Sequence, residues 1–423
     1  MEDLGYGDLG YSGSGLAETP NIDRFAEQNM IFTSGYVPAP HCSPSRAGIL
    51  TGQYPARLHI TVWIGNQGRR EYKNLELPVQ RDFLPRRTPT IAHYLKTQGY
   101  ATANLGKWHL GGRIVHPREH GFDEVIGWVA GAGPGPAHTW YAPYPTIQDL
   151  DGPEGEYLTD RLTDEAIAFM QRQSDGPFFL MLQHYDVHAP LTAPSPTVQK
   201  YLDRSRPLIE GKESATFLAM KEHIDRSFGR ILDSLDELGI ADNTIVVFFS
   251  DNGGVSYFAN NGPLRYGKKF LYEGGIRVPL LMRVPGLTRP GMVSDVPVNG
   301  IDFFPTFVDL TGGTVEEIGG AIDGVSLMPL FEGGTLKREA LYWHKPQVSR
   351  EWTDIPPQGA VRMGPWKLIH HYGYTRPDEL YHLDDDIGEK NNLASRYPER
   401  VRRMREMLEH HLDETEAQRV LIR

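Results

Sequence analysis

The hydrophobic positions of this chain fall into two kinds of segment. Residues 178–182 (Phe-Phe-Leu-Met-Leu) and 244–249 (Thr-Ile-Val-Val-Phe-Phe) are short, nearly unbroken apolar runs. Such runs fit strands buried on both faces. Residues 100–110 predict a third buried strand and 31–37 a short β-rich stretch. Between these, apolar residues recur at helical spacing over 20–30, 90–98, 160–173 and 216–238. Ile22, Phe25 and Ala26 share one face of the first, which Asn21 or Thr19 could cap. Gly99 and Gly239 stop the second and the last. A further helix over 44–51 follows the Pro38-Ala39-Pro40 turn, with Pro44 in its first turn and Gly52 at its end. Helices alternating with apolar strands predict an α/β fold, a mostly parallel or mixed central sheet sandwiched by helices. After about residue 335 the texture changes. Short strand candidates at 341–343, 360–363, 366–369 and 379–381 are separated by turn residues, and a charged helix runs from Pro398 to about Glu414. We expect a main domain over 1–335 and a small C-terminal domain over 336–423, an antiparallel sheet with one helix.

Composition sets limits. With 39% hydrophobic and 23% charged residues over 423 positions, there is material for one large domain and an appendage. No apolar run approaches the ~20 residues that span a bilayer, so no transmembrane segment is expected. A net charge of −11 argues against a nucleic-acid partner. An anionic substrate would need a local cationic pocket set against that overall field. Cys42 is the single cysteine. Alone it forms no intramolecular disulfide and no thiolate metal site.

Several polar groups fall at predicted strand ends. Asp251-Asn252-Gly253-Gly254 follows the 244–249 run, and Glu2 and Asp3 open the chain. Ligands collect at the carboxyl ends of strands in open α/β sheets, and these oxygen donors suit Ca²⁺ or Mg²⁺. Gly106-Lys107-Trp108-His109-Leu110-Gly111 ends the third strand candidate, whose alternation would project Lys107 and His109 together. His184 and His188 follow the 178–182 run, and Lys268 and Lys269 lie in a glycine-rich stretch before Tyr272-Glu273-Gly274-Gly275. Residues 127–145, rich in Gly, Pro and aromatics, predict an ordered surface loop near these groups.

Cys42-Ser43-Pro44-Ser45-Arg46, followed by Leu50-Thr51-Gly52, resembles the sulfatase signature Cys-x-Pro-Ser-Arg with its Leu-Thr-Gly. The Gly-Lys-Trp-His-Leu-Gly string, His188-Ala189-Pro190 and the segment 262–279 are similar to sulfatase motifs, in family order. Gly364-Pro365-Trp366-Lys367-Leu368 and Glu379-Leu380-Tyr381-His382-Leu383 look like the family's C-terminal region. The chain thus resembles arylsulfatase-type members of the alkaline phosphatase-like superfamily over nearly its whole length.

The resemblance implies a sulfuric ester hydrolase. In that family the cysteine is oxidised to formylglycine by a formylglycine-generating enzyme, and one hydroxyl of its hydrate attacks sulfur. Carried over, Cys42 is the nucleophile's precursor. Glu2, Asp3, Asp251 and Asn252 hold the metal, Ca²⁺ before Mg²⁺. Arg46, Lys107 and Lys268 neutralise sulfate. His188 and Lys268 assist the leaving oxygen, and His109 deprotonates the second hydroxyl. Glu2 departs from the family's aspartate, and its extra methylene shifts that carboxylate. His184 is expected to be structural and Lys269 solvated. The family's apolar strand before Asp-Asp-Leu-Gly-Tyr-Gly-Asp is missing here, which fits a fragment or a misplaced start, and residues 1–3 are expected to fray. The resemblance suggests a periplasmic or secreted protein, although the chain shows no signal peptide. The substrate is a sulfated small molecule or carbohydrate; sugar, polysaccharide and aryl sulfates stay open. Two rivals remain, a phosphate or phosphonate ester hydrolase and an inactive sulfate-ester-binding relative.

Overall fold

The computed structural model describes residues 1–423 except 67–68, 113, 205–213 and 351–353. The apolar runs form strands as expected, grouped in two central sheets. In one, Glu124–Ile126, Ala101–Gly106 and Phe178–Gln183 lie parallel, with Gly106 opposite Gln183. The other is mixed. Val246–Phe249 and Met30–Phe32 both run antiparallel to Leu280–Arg283 between them, and Val293–Ser294 lies parallel to Met30–Phe32.

The alternation of Val246–Phe249 shows why these strands read as continuous apolar runs. Phe248 meets Phe228 of the long helix Ala215–Glu237 on one face, ring centroids 5.2 Å apart. Phe249 meets Phe303 of the helix Phe303–Leu310 on the other, at 5.0 Å. Both sides of the strand are covered by helices, so both must be apolar. Thr90 caps the helix Ile91–Thr97 by accepting from His93 N.

Residues 1 and 2 join the two sheets. The Met1 amine donates to Phe249 O (2.7 Å) and Asp251 N donates to Met1 O (3.0 Å). Glu2 N donates to Asp186 O (3.1 Å), and Val187 N donates to Glu2 O (2.9 Å). The expected fraying of residues 1–3 is therefore wrong. Backbone bonds hold residues 1 and 2, Asp3 N donates to Asp251 Oδ1 (3.3 Å), and Glu2 and Asp3 are buried.

Leu341–Lys345, Gln358–Met363, Trp366–His371 and Glu379–His382 form an antiparallel sheet in that order, covered by the helix Pro398–Glu414. Val361, Leu368, Met404, Leu408 and Leu412 make the seam between them. Against the rest of the chain this sheet sets Trp343, whose Nε1 donates to Val37 O (2.8 Å), and Lys367, paired with Glu273 (2.8 Å) and Glu389 (2.9 Å). Among the described residues no helix is long and apolar enough to cross a membrane.

One buried histidine of this sheet gives a signed pH effect. The partners of His344 fit a neutral ring: Nε2 lies 2.9 Å from Gln418 O, and Nδ1 2.6 Å from the Tyr372 hydroxyl. Burial pushes its pKa down to about 3. The unfolded chain binds a proton there below the ordinary ~6.5, while the folded chain does not. This contribution is present above that value and fades as pH falls toward the folded pKa. The stability gap between the protein and a His344→Gln variant should narrow by about 2 kcal/mol from pH 7.5 to pH 5. Urea titrations at the two pH values measure it; an unchanged gap would contradict a neutral buried ring.

Candidate active site

The helix carrying Cys42 starts earlier than its sequence suggests. It spans Cys42–Thr51, with Cys42 its first residue rather than lying just before the N-terminus. His41 is extended (φ −143°, ψ 149°), and Ser45 N donates to its carbonyl at 3.1 Å, closing the first turn. The Cys42 side chain is buried, 3.2 Å from His109 Nδ1. His109 Nε2 lies 3.1 Å from Ile64 O. A carbonyl can only accept, so Nε2 carries the proton and Nδ1 turns its lone pair toward residue 42. Burial, then Lys107, keeps His109 well below its ordinary pKa, in the neutral form a base needs. Burial also raises the Cys42 thiol, which disfavours the thiolate an ordinary cysteine nucleophile requires.

Lys107 and His109 do reach one site, but not by strand alternation. The strand ends at Gly106 (φ 91°), and His109 turns with φ 54°. Lys107, wholly buried, reaches Glu2 at 2.5 Å. Lys268 pairs with Asp3 at 2.6 Å and Arg46 with both Glu2 (2.6 Å) and Asp251 (2.9 Å). Three carboxylates thus face three cationic side chains. Despite burial, Lys107 and Arg46 hold Glu2 well below the usual carboxylate range. Burial and then the Glu2 charge push Asp251 up to about 7.

Asn252 bears on whether these residues fit a cation. Its Nδ2 donates to Asp3 Oδ1 (2.7 Å) and Gly253 O (3.0 Å), while its Oδ1 is buried with no partner. An orphaned amide oxygen beside mutually repelling carboxylates is a donor set suited to a hard divalent cation. The turn is fixed by close backbone approach: a Cβ on Gly253 would lie 1.9 Å from Gly274 O. Glu2, Asp3 and His188 also place one ligand atom each within 4.8 Å of one another.

His188 Nδ1 sits 2.6 Å from Ala189 O, which leaves Nε2 as its acceptor. Burial, Lys107 and Lys268 bring its pKa down to about 4. The 127–145 stretch does border this site, since a Cβ on Gly133 would lie 3.6 Å from His188 Nδ1. His184 binds Ser227 Oγ (2.8 Å), a packing role. Lys269 is not simply solvated: its Nζ donates to Arg350 O (3.3 Å).

Two residues were missed from sequence. Gln183 Oε1 accepts from Arg46 Nη1, and Gln183 Nε2 donates to Asn104 Oδ1 (2.5 Å). Their signal was available: Gln183 ends an otherwise apolar run, and Asn104 is a polar residue inside a largely buried strand.

Comparisons with known proteins show the family. A sulfatase family model matches residues 1–313, and a model described as N-sulphoglucosamine sulphohydrolase, C-terminal, matches 264–418. N-acetylgalactosamine-6-sulfatase of Canis lupus familiaris is 33% identical over 427 residues, covering 93% of this chain and 74% of that protein. Arylsulfatase A of Homo sapiens is 30% identical over 446 residues, covering 93% and 82%. The crystal structure of Ps i-CgsB in complex with k-i-k-neocarrahexaose superposes with a TM-score of 0.82 at 30% identity, over 97% of this chain and 91% of that one. The chain belongs to the sulfatase family and is a sulfuric ester hydrolase.

Proposed function

We propose that this protein removes sulfate from sulfated carbohydrates, using residue 42 after oxidation to formylglycine and a divalent cation, Ca²⁺ before Mg²⁺. The observation that carries the proposal is the Cys42–His109 pair. A buried side chain whose thiolate is disfavoured faces the free lone pair of a neutral imidazole at 3.2 Å. That geometry suits removal of a proton from a hydroxyl at residue 42. As hydrated formylglycine, residue 42 would supply one hydroxyl to attack sulfur and a second whose deprotonation releases sulfate.

Glu2, Asp3, Asp251 and Asn252 would hold the cation, which would polarise a sulfate oxygen. Lys107 and Lys268 flank residue 42 and supply positive charge where sulfate charge develops. His109 Nδ1 accepts the proton whose loss lets sulfate leave. Lys268, buried yet kept protonated by the Asp3 charge, passes a proton to the departing alcohol oxygen; His188, neutral with Nε2 as an acceptor, would orient the substrate there rather than donate. Arg46 takes a different part from the one its motif suggests. Its guanidinium is committed to Glu2, Asp251, Gln183 and the Lys107 carbonyl, so we assign it to holding the carboxylates. A carbohydrate substrate is supported by the relatives, one named for an amino sugar and one bound to a carrahexaose.

The test is mass spectrometry of the tryptic peptide 25–46, from a host that contains a formylglycine-generating enzyme. Sulfate and phosphate release from matched esters is assayed alongside. Formylglycine at position 42 with sulfate release supports the proposal. Unmodified cysteine in an active preparation, or release of phosphate alone, overturns it. Conversion with no turnover of any ester supports the sulfate-binding relative instead.

A further inference from the structure

A cavity lies outside the set of residues described above. It encloses about 120 Å³ between the segment carrying Lys268, the strand pair Ser349–Arg350 and Asp354–Ile355, and the C-terminal sheet. Its wall is aromatic. Tyr266 stacks on Phe270 (centroids 4.4 Å apart, 21° between planes) and meets Tyr272 edge-on at 5.0 Å. Phe270 and Tyr272 are buried, whereas Tyr266 keeps 36% of its surface exposed. Ile355 and Pro356 add apolar surface, and Arg265, Asp354, Gln358, Arg376 and Glu379 make the polar part of the lining.

The charges of this lining are unevenly matched. Asp354 is paired with Arg69 (2.8 Å). Glu379 accepts from the Tyr272 hydroxyl at 2.8 Å and contacts His371 at 3.0 Å. Arg265 lies over the Tyr272 ring, 4.1 Å from its centroid, and donates to Tyr381 Oη (2.9 Å). Arg376 is exposed, and among the described residues no carboxylate is within salt-bridge distance of it. It is the cation in this lining with no counter-charge.

Two connections link this cavity to the segments that carry Lys268 and residue 42. Tyr266 is two residues from Lys268, so their backbones are at most about 7 Å apart. Yet Lys268 turns inward to Asp3. On the other wall, Ile355 pairs in register with Ser349, and Ser349 Oγ lies 3.2 Å from the Nε2 of His41, the residue before Cys42.

We infer that this cavity is a subsite for a neighbouring sugar unit of a sulfated oligosaccharide, one that carries its own anionic group. The inference rests on the sulfatase reading above and deepens it. The exposed part of Tyr266, with Ile355, Pro356 and polar groups around it, suits a pyranose, whose C–H face is apolar and whose edge bears hydroxyls. Arg376 fits a second sulfate or a carboxylate by charge-assisted hydrogen bonds. The enzyme's preferred substrate is then an anionic oligosaccharide rather than an aryl sulfate or an isolated sugar sulfate.

The test compares kcat/KM for 4-methylumbelliferyl sulfate with that for di- to hexasaccharides from chondroitin sulfate and carrageenan. The first series offers carboxylates and sulfates, the second sulfates alone, which separates the two sources of anion. In Arg376→Ala the ratio of oligosaccharide to aryl kcat/KM should fall about 10-fold or more, carried by KM. Tyr266→Ala should lower the same ratio. An unchanged ratio overturns the inference. So does an equal loss on both substrate types, which marks a disturbed Lys268 segment, and so does failure of every oligosaccharide while the aryl ester turns over. If converted protein turns over nothing, the sulfatase reading has failed separately. Calorimetry of the same oligosaccharides then decides: weaker binding by Arg376→Ala supports the subsite, and equal binding overturns it.

Discussion

Replacing Cys42 by alanine should lower sulfate-ester turnover by about 10⁴-fold or more while leaving the fold intact. The side chain is small and buried at the start of a helix, so alanine keeps the backbone and removes only the reacting group. Among the described residues, Cys42 is the side chain that His109 Nδ1 faces. His109 faces residue 42 with its lone pair, and its other nitrogen is tied to Ile64 O. Cys42→Ser is the more informative variant. It keeps one hydroxyl but lacks the second, whose deprotonation by His109 would expel sulfate. We expect a single turnover at most, with sulfate left on the peptide 25–46 and visible by mass spectrometry. Sustained turnover by an unconverted serine variant would show that the second hydroxyl is dispensable and sink the mechanism. A Cys42→Ala variant with near-normal activity would move the chemistry away from residue 42 altogether.

Removing divalent cations should be nearly as damaging, with about a 10²- to 10³-fold loss that added Ca²⁺ restores. The donor set argues for this on its own terms. Asp251 is raised to about 7, first by burial and then by the charge of the neighbouring Glu2, since two adjacent carboxylates resist both being charged. A divalent cation would relieve that repulsion and give Asn252 Oδ1 the partner it lacks. Three cationic side chains face the three carboxylates, so a divalent ion held there would add the positive charge that suits a departing sulfate dianion. Asp251→Asn keeps the shape and removes one charge. It should weaken Ca²⁺ binding measured by calorimetry and shrink the rise in melting temperature that Ca²⁺ produces. A metal-free preparation, verified by elemental analysis, that retains full activity would refute the cation's role.

Much of this architecture is legible in the sequence because periodicity is a local property. The apolar run around Phe248 and Phe249 announces a strand covered on both sides, and the structure supplies a phenylalanine partner on each. The helix ending at residue 414 could be read from its charges and spacing, and it is found as Pro398–Glu414. The boundaries that slipped did so for equally local reasons. Pro44 suggests a helix start, but the first turn closes on His41 instead. Lys107 and His109 look like strand neighbours, yet two positive-φ positions, Gly106 and His109, turn the chain into a loop that still brings both to one place.

Residue types and order by themselves determined the family resemblance, the α/β alternation and the set of groups gathered at strand ends. Partners were decided only by tertiary structure. Whether Arg46 reaches sulfate or carboxylates depends on Glu2 and Asp251 arriving from opposite ends of the sequence, with Gln183 and Asn104 behind it. Residues 1–3, which alone would fray, are fixed because Asp186, Val187, Phe249 and Asp251 offer them hydrogen-bond partners. The cavity walled by Tyr266, Ile355 and Arg376 has no sequence signature, since it joins segments about a hundred residues apart. Local propensity can specify an element, but the free energy of a buried charge or an open cavity is set by whatever the rest of the chain packs against it.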